Sequence, residues 1–189
     1  MKPIDKDKLL DTLENMVNYH IQTAVQEFQN MQDEPLLKLS ATGGWSIAQC
    51  LEHLNRYGVY YIPLIREALT GQQKKIAGGT FTSGMIGGYF TRLMDPVTGK
   101  KKLRAFRAYT PDRQLDAHTV VAEFIRQQEA LLSCLQRARQ ADLNHSRIPV
   151  SILKLLKLKV GDALQFVIFH DERHIRQARM NCPEIAAAG

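Results

Sequence analysis

His170 and His174 stand four residues apart in "FVIFHDERHIRQ", residues 166–177. On an α-helix such positions differ by roughly 40° in azimuth and by one turn in height, so both rings project from one face. Two neutral imidazoles placed that way can converge on one divalent ion. The spacing alone is a weak signal, and a charged helix end that happens to carry two imidazoles is the plain alternative. The neighbours decide between them. Phe166 and Val167 lie one turn before His170, and Gln177 and Ala178 one turn after His174. Glu172, Arg173, Arg176 and Arg179 are expected on the other faces. The pair is therefore read as inward-facing. An inward imidazole needs a metal, a carboxylate or a water, because an unsatisfied buried polar group is costly.

A third nitrogen is offered upstream. His53 lies on the side of a second helical pattern that carries Gln49 and Tyr57, bordering Leu51 and Leu54. One histidine from one bundle helix and a pair from another make a sensible three-ligand site with an open position, the pattern of catalytic metal centres. Gln49 and Gln177 are the first choices to fix the imidazole tautomers by hydrogen bonding. Tyr57, Tyr60 and Tyr61 could supply an acid nearby, although tyrosines at helical spacing more often pack. No catalytic residue is singled out. A competing reading takes "HDERH" as a variant of the zincin HExxH, with Asp171 in place of the glutamate base. Aspartate is one methylene shorter, and the only carboxylate downstream is Glu184, past Pro183, so this reading is set aside. His20 is read as a satisfied core histidine, His118 and His145 as surface residues.

The elements that must position these rings are helical. Residues 7–32 carry an apolar stripe of Leu9, Leu10, Leu13, Met16, Val17, Ile21, Ala24, Val25 and Phe28 at i, i+3, i+4 spacing. The second helix opens at "GGWSIAQCLEHL", where Ser46 and Gln49 fit a capping box and Trp45 a hydrophobic staple. Pro63 is expected to kink it or loosen its hydrogen bonding one turn earlier, and Gly71 to end it. A third helix is expected from Asp112–Asp116 to about Gln140, and a fourth from about Asp162 to Met180, ended by Pro183. Residues 71–111 break this rhythm with glycines and basic side chains, and "MIGGYFTRLM" within them reads as a short helix. A connection of this length is expected to be functional or mobile, a candidate lid. The stretch "HSRIPVSILKLLKLKVGD" reads as irregular, and no convincing strand is found. The expected fold is all-α: an antiparallel four-helix bundle with a long Gly-rich, basic connection between helices 2 and 3, in a single domain over residues 1–189.

Composition bounds the rest. The 189 residues are 44% hydrophobic and 23% charged, ordinary for a globular domain. No stretch approaches the roughly 18 apolar residues of a membrane span, and "MKPIDKDKLLDTLENM" lacks the apolar run of a signal peptide. A cytoplasmic protein is expected, with no membrane partner. Cys50, Cys134 and Cys182 are scattered and show no CxxC spacing, which points to packing residues rather than a disulfide framework or zinc knuckle. The net charge of +6 is densest from Lys100 to Arg107. Such a patch could meet phosphate, but no nucleic-acid module accompanies it, so a solvated loop is the preferred reading.

Trp45-Ser46 opening a helix that carries "LEHL", with a C-terminal "HDERHIRQ", resembles the DinB-like superfamily of metal-dependent four-helix bundles. The family pattern is a histidine in the second helix and an HxxxH followed by a glutamine in the last. His53, His170, His174 and Gln177 occupy those positions here. The resemblance implies a divalent ion (zinc, nickel or manganese), a small-molecule substrate and often a homodimer. Relatives include transferases of low-molecular-weight thiols such as bacillithiol or mycothiol, and a thiol-dependent isomerase. A metal-dependent thiol transferase, or a related small-molecule transferase or hydrolase, is thus one expectation. A non-catalytic stress-related or small-molecule-binding protein on the same bundle is the other. Under the first, Arg56 and Arg173 could grip a substrate carboxylate, although an ordinary surface ion pair is the preferred role for each.

Overall fold

A computed structural model describes residues 2–72, 79–99 and 104–182. Lys100–Leu103 of the basic patch, Pro183 and Glu184 lie outside the described residues, while Arg104 and Arg107 are exposed. In chain order the elements are β1 (Ile4–Asp5), α1 (Lys6–Thr23), a π-helical turn (Ala24–Phe28), α2 (Asp33–Leu37), α3 (Ile47–Thr70), β2 (Thr80–Phe81), α4 (Met85–Met94), a 3-10 turn (Arg107–Tyr109), α5 (Ala117–Ala138), β3 (Arg147–Val150), β4 (Leu153–Lys159) and α6 (Val160–Arg179).

The helices α1, α3, α5 and α6 form the bundle, with α1 and α3 each packed on both α5 and α6. Each helix begins where the sequence supplies a cap or an apolar stripe. The Asp5 carboxylate accepts from the Lys8 amide, Asp116 accepts from Thr119, and Ser46 and Gln49 close the reciprocal box at the start of α3. These contacts satisfy donors that a helix N-terminus leaves orphaned. The apolar stripe of the first helix is buried at Leu10, Leu13, Val17, Ala24 and Phe28. That element changes from α to π winding at Ala24, where the Gln29 amide reaches back to the Ala24 carbonyl. The helix α3 runs unbroken through Pro63, which is exposed and has no N–H to donate to the carbonyl of Val59, itself 66% exposed. Cys50, Cys134 and Cys182 are buried and form no disulfide.

The connection between α3 and α5 contains structure of its own. The short helix expected at "MIGGYFTRLM" is α4, and it lies on α6. The docking is close: the Asp162 carboxylate accepts from the Gly84 amide at 3.0 Å, and a side chain at Gly87 would meet Asp162 at 2.1 Å. The expectation of no strands is overturned. β1 pairs with β2, and β3 with β4, both antiparallel. Alternation in "RIPV" is too short to stand out, and in "LKLLKLK" the Leu155-Leu156 doublet breaks it. The ribbon is held from outside: the Tyr61 hydroxyl accepts from the Ser151 amide, and Tyr60 donates to the Pro149 carbonyl. The fold is therefore mainly helical, a four-helix bundle with two small ribbons. Among the described residues, no helix is long and apolar enough to cross a membrane.

Candidate metal centre

The capping box fixes the start of α3, and His53 follows about two turns in. The helix α6 is buried along almost its whole length, which places His170 and His174 inside the bundle. Their ligand atoms, one per ring with His53, all lie within 4.8 Å of one another. The Nε2 atoms of His53 and His170 are 3.2 Å apart. Two nitrogens each about 2.1 Å from a tetrahedral ion stand roughly 3.4 Å apart, so this separation suits a shared ion.

Hydrogen bonding selects the tautomers. His53 Nδ1 donates to the Tyr109 carbonyl at 2.7 Å, and His174 Nδ1 donates to Gln177 Oε1 at 2.9 Å. Both rings therefore present a bare Nε2 lone pair. The facing His170 Nε2 must either donate a proton to His53 or add its own lone pair around a cation. His170 Nδ1 is buried without a hydrogen-bond partner, so nothing else in the described structure fixes that ring's proton. The donor set fits a divalent ion of the zinc type: three neutral imidazoles, two with their lone pairs already aimed.

The rings resist protonation. Burial lowers His53 to about 4, opposed by the Tyr109 carbonyl and reinforced by Arg56. Burial, reinforced by His53, lowers His174 to about 3, and burial with its two neighbouring histidines pushes His170 well below its usual value. Unfolded imidazoles take up protons through about pH 6.5. The stability tied to these rings is thus present above pH 6.5 and lost as pH falls toward 4. Each ring protonated only on unfolding steepens that loss by up to ~1.4 kcal/mol per pH unit. Chelator-stripped protein should accordingly unfold at a lower urea midpoint at pH 5.0 than at pH 7.5. Equal midpoints would contradict the burial of these rings as neutral bases.

Aromatic rings enclose the cluster. Trp45 lies 4.7 Å from His53 and 5.7 Å from His174 between centroids. It also packs against the core cluster that includes Ile47, Cys50 and Leu51, and its contact with the histidines is a role beyond the staple expected of it. Tyr57 meets His170 edge-on at 4.6 Å and stacks on Tyr109 at 4.0 Å. Phe166 stacks on His170 at 5.8 Å.

Other expected neighbours have different tasks. The hydrogen bonds of Gln49 go elsewhere than the imidazoles: its Oε1 accepts from the Ser46 amide and its Nε2 donates to the Asp112 carbonyl. The tautomer role expected of it falls to the Tyr109 carbonyl. Arg56 is bound to Glu52, to Asp112 and to the Thr110 carbonyl. Arg173 donates to the Leu93 and Gly99 carbonyls, at the end of α4. Glu172, expected on an outer face, is buried and accepts from His20 and Arg176. Asp171 is also buried, accepts from Gln128 at 2.8 Å, and is pushed up to about 7 by that burial. His20 is fully buried and partnered, His118 pairs with Asp33 at the surface, and His145 is exposed. A cavity of about 900 Å³ lies between the C-terminal end of α3 and the Asp142–Pro149 segment, several turns from the histidines.

Residues 18–178 match a family model described as the DinB superfamily. No curated protein matches the sequence. Among solved structures the fold is similar to YfiT from Bacillus subtilis, described as a probable metal-dependent hydrolase with an unusual four-helix bundle topology. The TM-score is 0.52, covering 97% of this chain and 86% of that one, and at 16% identity the likeness concerns the fold.

Proposed function

The chain belongs to the DinB superfamily, and from that premise we propose that it is a metal-dependent transferase acting on a small molecule, with a low-molecular-weight thiol as the nucleophile. The observation that carries this reading is the convergence of His53, His170 and His174 with two of their lone pairs already aimed. A divalent ion held there (zinc, nickel or manganese) would lower the pKa of a bound thiol and supply a thiolate near neutral pH. The protein's own residues supply the rest. Their burial keeps the imidazoles neutral and available. Trp45, Tyr57, Tyr109 and Phe166 give the approach an apolar wall that suits a thiol and an uncharged electrophile. Burial pushes the pKa of the Tyr57 hydroxyl well above its ordinary value, so it stays protonated and can serve as a proton donor to a leaving group.

Thiol transfer is preferred to hydrolysis because of where the acids point. Activating water commonly calls for a general base. Asp171 and Glu172, the carboxylates in the same turns of α6, are engaged with Gln128 and with His20 and Arg176. A thiol needs no such base, since metal binding alone can favour the thiolate. The reading extends to a homodimer, on the strength of the family resemblance. A non-catalytic binding protein on the same bundle is the alternative, favoured by the aromatic enclosure of the site.

The test is a thiol-consumption assay with a haloalkane electrophile, using protein loaded with one equivalent of zinc, nickel or manganese. The expected result is turnover well above that of the free ion, abolished by chelator. Metal uptake with no acceleration for any of the three ions would leave the binding-protein reading. No metal uptake would sink both the metal site and the enzyme.

A further inference from the structure

We infer that the segment Arg107–Asp112 is a strap that holds His53 in its metal-binding tautomer, with Arg56 as the positioning residue that latches it. This rests on the metal-site reading above. His53 can offer Nε2 to an ion only while its proton sits on Nδ1. The acceptor that keeps it there is the Tyr109 carbonyl, which belongs to no bundle helix. It lies in the connection before α5, so one of the three candidate ligands is set by a loop.

The loop is fastened along one face of α3. Gln49, His53 and Arg56 follow i, i+4, i+7 spacing and point to one side. Gln49 Nε2 donates to the Asp112 carbonyl at 3.2 Å. Arg56 Nη1 donates to the Thr110 carbonyl at 2.7 Å and Nη2 to the Asp112 carboxylate at 2.5 Å. Arg56 is itself steadied by Glu52 at 2.8 Å, one turn earlier on α3. The guanidinium thus grips the residue directly after Tyr109 and the one two further on. The Tyr109 ring adds a stack on Tyr57, whose edge faces His170.

Release of the strap replaces the Tyr109 carbonyl with water. The His53 proton is then free to move to Nε2, where it blocks the ligand atom. Strap seating and metal binding are therefore coupled, and each must favour the other by the same factor. The Arg56 guanidinium is engaged with Glu52, Thr110 and Asp112. Its effect passes through the Thr110 and Asp112 contacts to the Tyr109 carbonyl and so to the His53 ring.

The experiment uses the full chain and three readouts: zinc affinity by chelator competition, the ring-nitrogen NMR shifts of His53, and trypsin cleavage after Arg107. In Arg56→Ala, zinc binding should weaken about tenfold, the range for losing a group that supports a metal ligand. The His53 shifts should move toward a mixture of tautomers, and cleavage after Arg107 should quicken. Arg56→Lys should recover part of the affinity. Should Arg56→Ala fail to fold, Asp112→Ala removes one latch contact from a side chain that is 74% exposed. It should shift the same readouts in the same direction by less. Unchanged zinc affinity and unchanged His53 shifts in the latch variants would overturn the inference, whether or not the strap loosens. If the wild-type protein binds no metal, the metal reading fails by itself. The His53 shifts still decide the strap: Nδ1 protonation kept in wild type and lost in Arg56→Ala sustains it, and identical shifts overturn it.

Discussion

Replacing His170 with alanine should take the protein from one bound divalent ion per chain to none at micromolar metal. The three ring centroids form a nearly equilateral triangle, 5.0 Å from His53 to His170, 4.8 Å from His170 to His174 and 4.7 Å from His53 to His174. The His170 and His53 Nε2 atoms are 3.2 Å apart. The alanine variant keeps two nitrogens that no longer surround a common point. The loss should exceed ~100-fold in affinity, the upper range for losing a group that only supports a ligand. A thermal readout separates this from simple misfolding. Saturating zinc at a hundred times its dissociation constant should stabilise the wild-type protein by about 2.7 kcal/mol. For a domain of this size that is roughly 5 to 11 °C in melting temperature. The His170→Ala protein should melt at one temperature with and without zinc. A zinc-dependent rise in the variant would mean that the ion sits elsewhere.

His20→Ala is expected to be strongly destabilising, although His20 is not in the metal cluster. The ring is fully buried between α1, α5 and α6. Its Nε2 meets Glu172 at 2.9 Å and its Nδ1 meets Gln128 Oε1 at 3.2 Å. Gln128 passes the chain of bonds to Asp171, and Glu172 passes it to Arg176 at 2.5 Å. Both ring nitrogens face oxygen acceptors, and the orientation of Gln128 is fixed by its amide donating to Asp171. Removing the ring takes from a buried carboxylate one of its two partners and opens a hole in a packed interior. Breaking a buried pair in this way costs about 3 to 5 kcal/mol, or roughly 6 to 20 °C in melting temperature. The double variant His20→Leu with Glu172→Leu should cost less than the two single changes added together, because it removes the donor and the acceptor at once. Costs that simply add would show that the pair does not interact. Behind the metal ligands, the same network holds α6 in register against α1 and α5, and a loss of zinc affinity should accompany the loss of stability.

Both experiments act on groups of different legibility. The HxxxH spacing of His170 and His174 is local, so helical geometry alone places the rings on one face. Gln177 is equally local, three residues beyond the ring whose Nδ1 it accepts. The Ser46–Gln49 box could be read in the same way, and it starts α3 as its spacing requires. His53 needed an assumption about which helices face each other, and the bundle brings it to the pair.

What the sequence by itself determined was the four bundle helices, the short helix at Met85–Met94 and the three imidazoles. These follow from periodicity, caps and side-chain identity within a few turns, whereas α2 (Asp33–Leu37) is too short to show a period. Only the tertiary structure decided who supports those imidazoles. The partner of His53 is the backbone carbonyl of Tyr109, 56 residues away, and a carbonyl has no signature in sequence because every residue carries one. That same choice left Gln49, the plausible side chain one turn from His53, to serve as a cap. Glu172 and His20 are 152 residues apart, and Glu172 reads as a surface charge until α1 packs against α6 and buries both. The β3–β4 ribbon formed for a similar reason: its apolar pattern is ambiguous in isolation, and Tyr60 and Tyr61 of α3 supply the contacts that hold it.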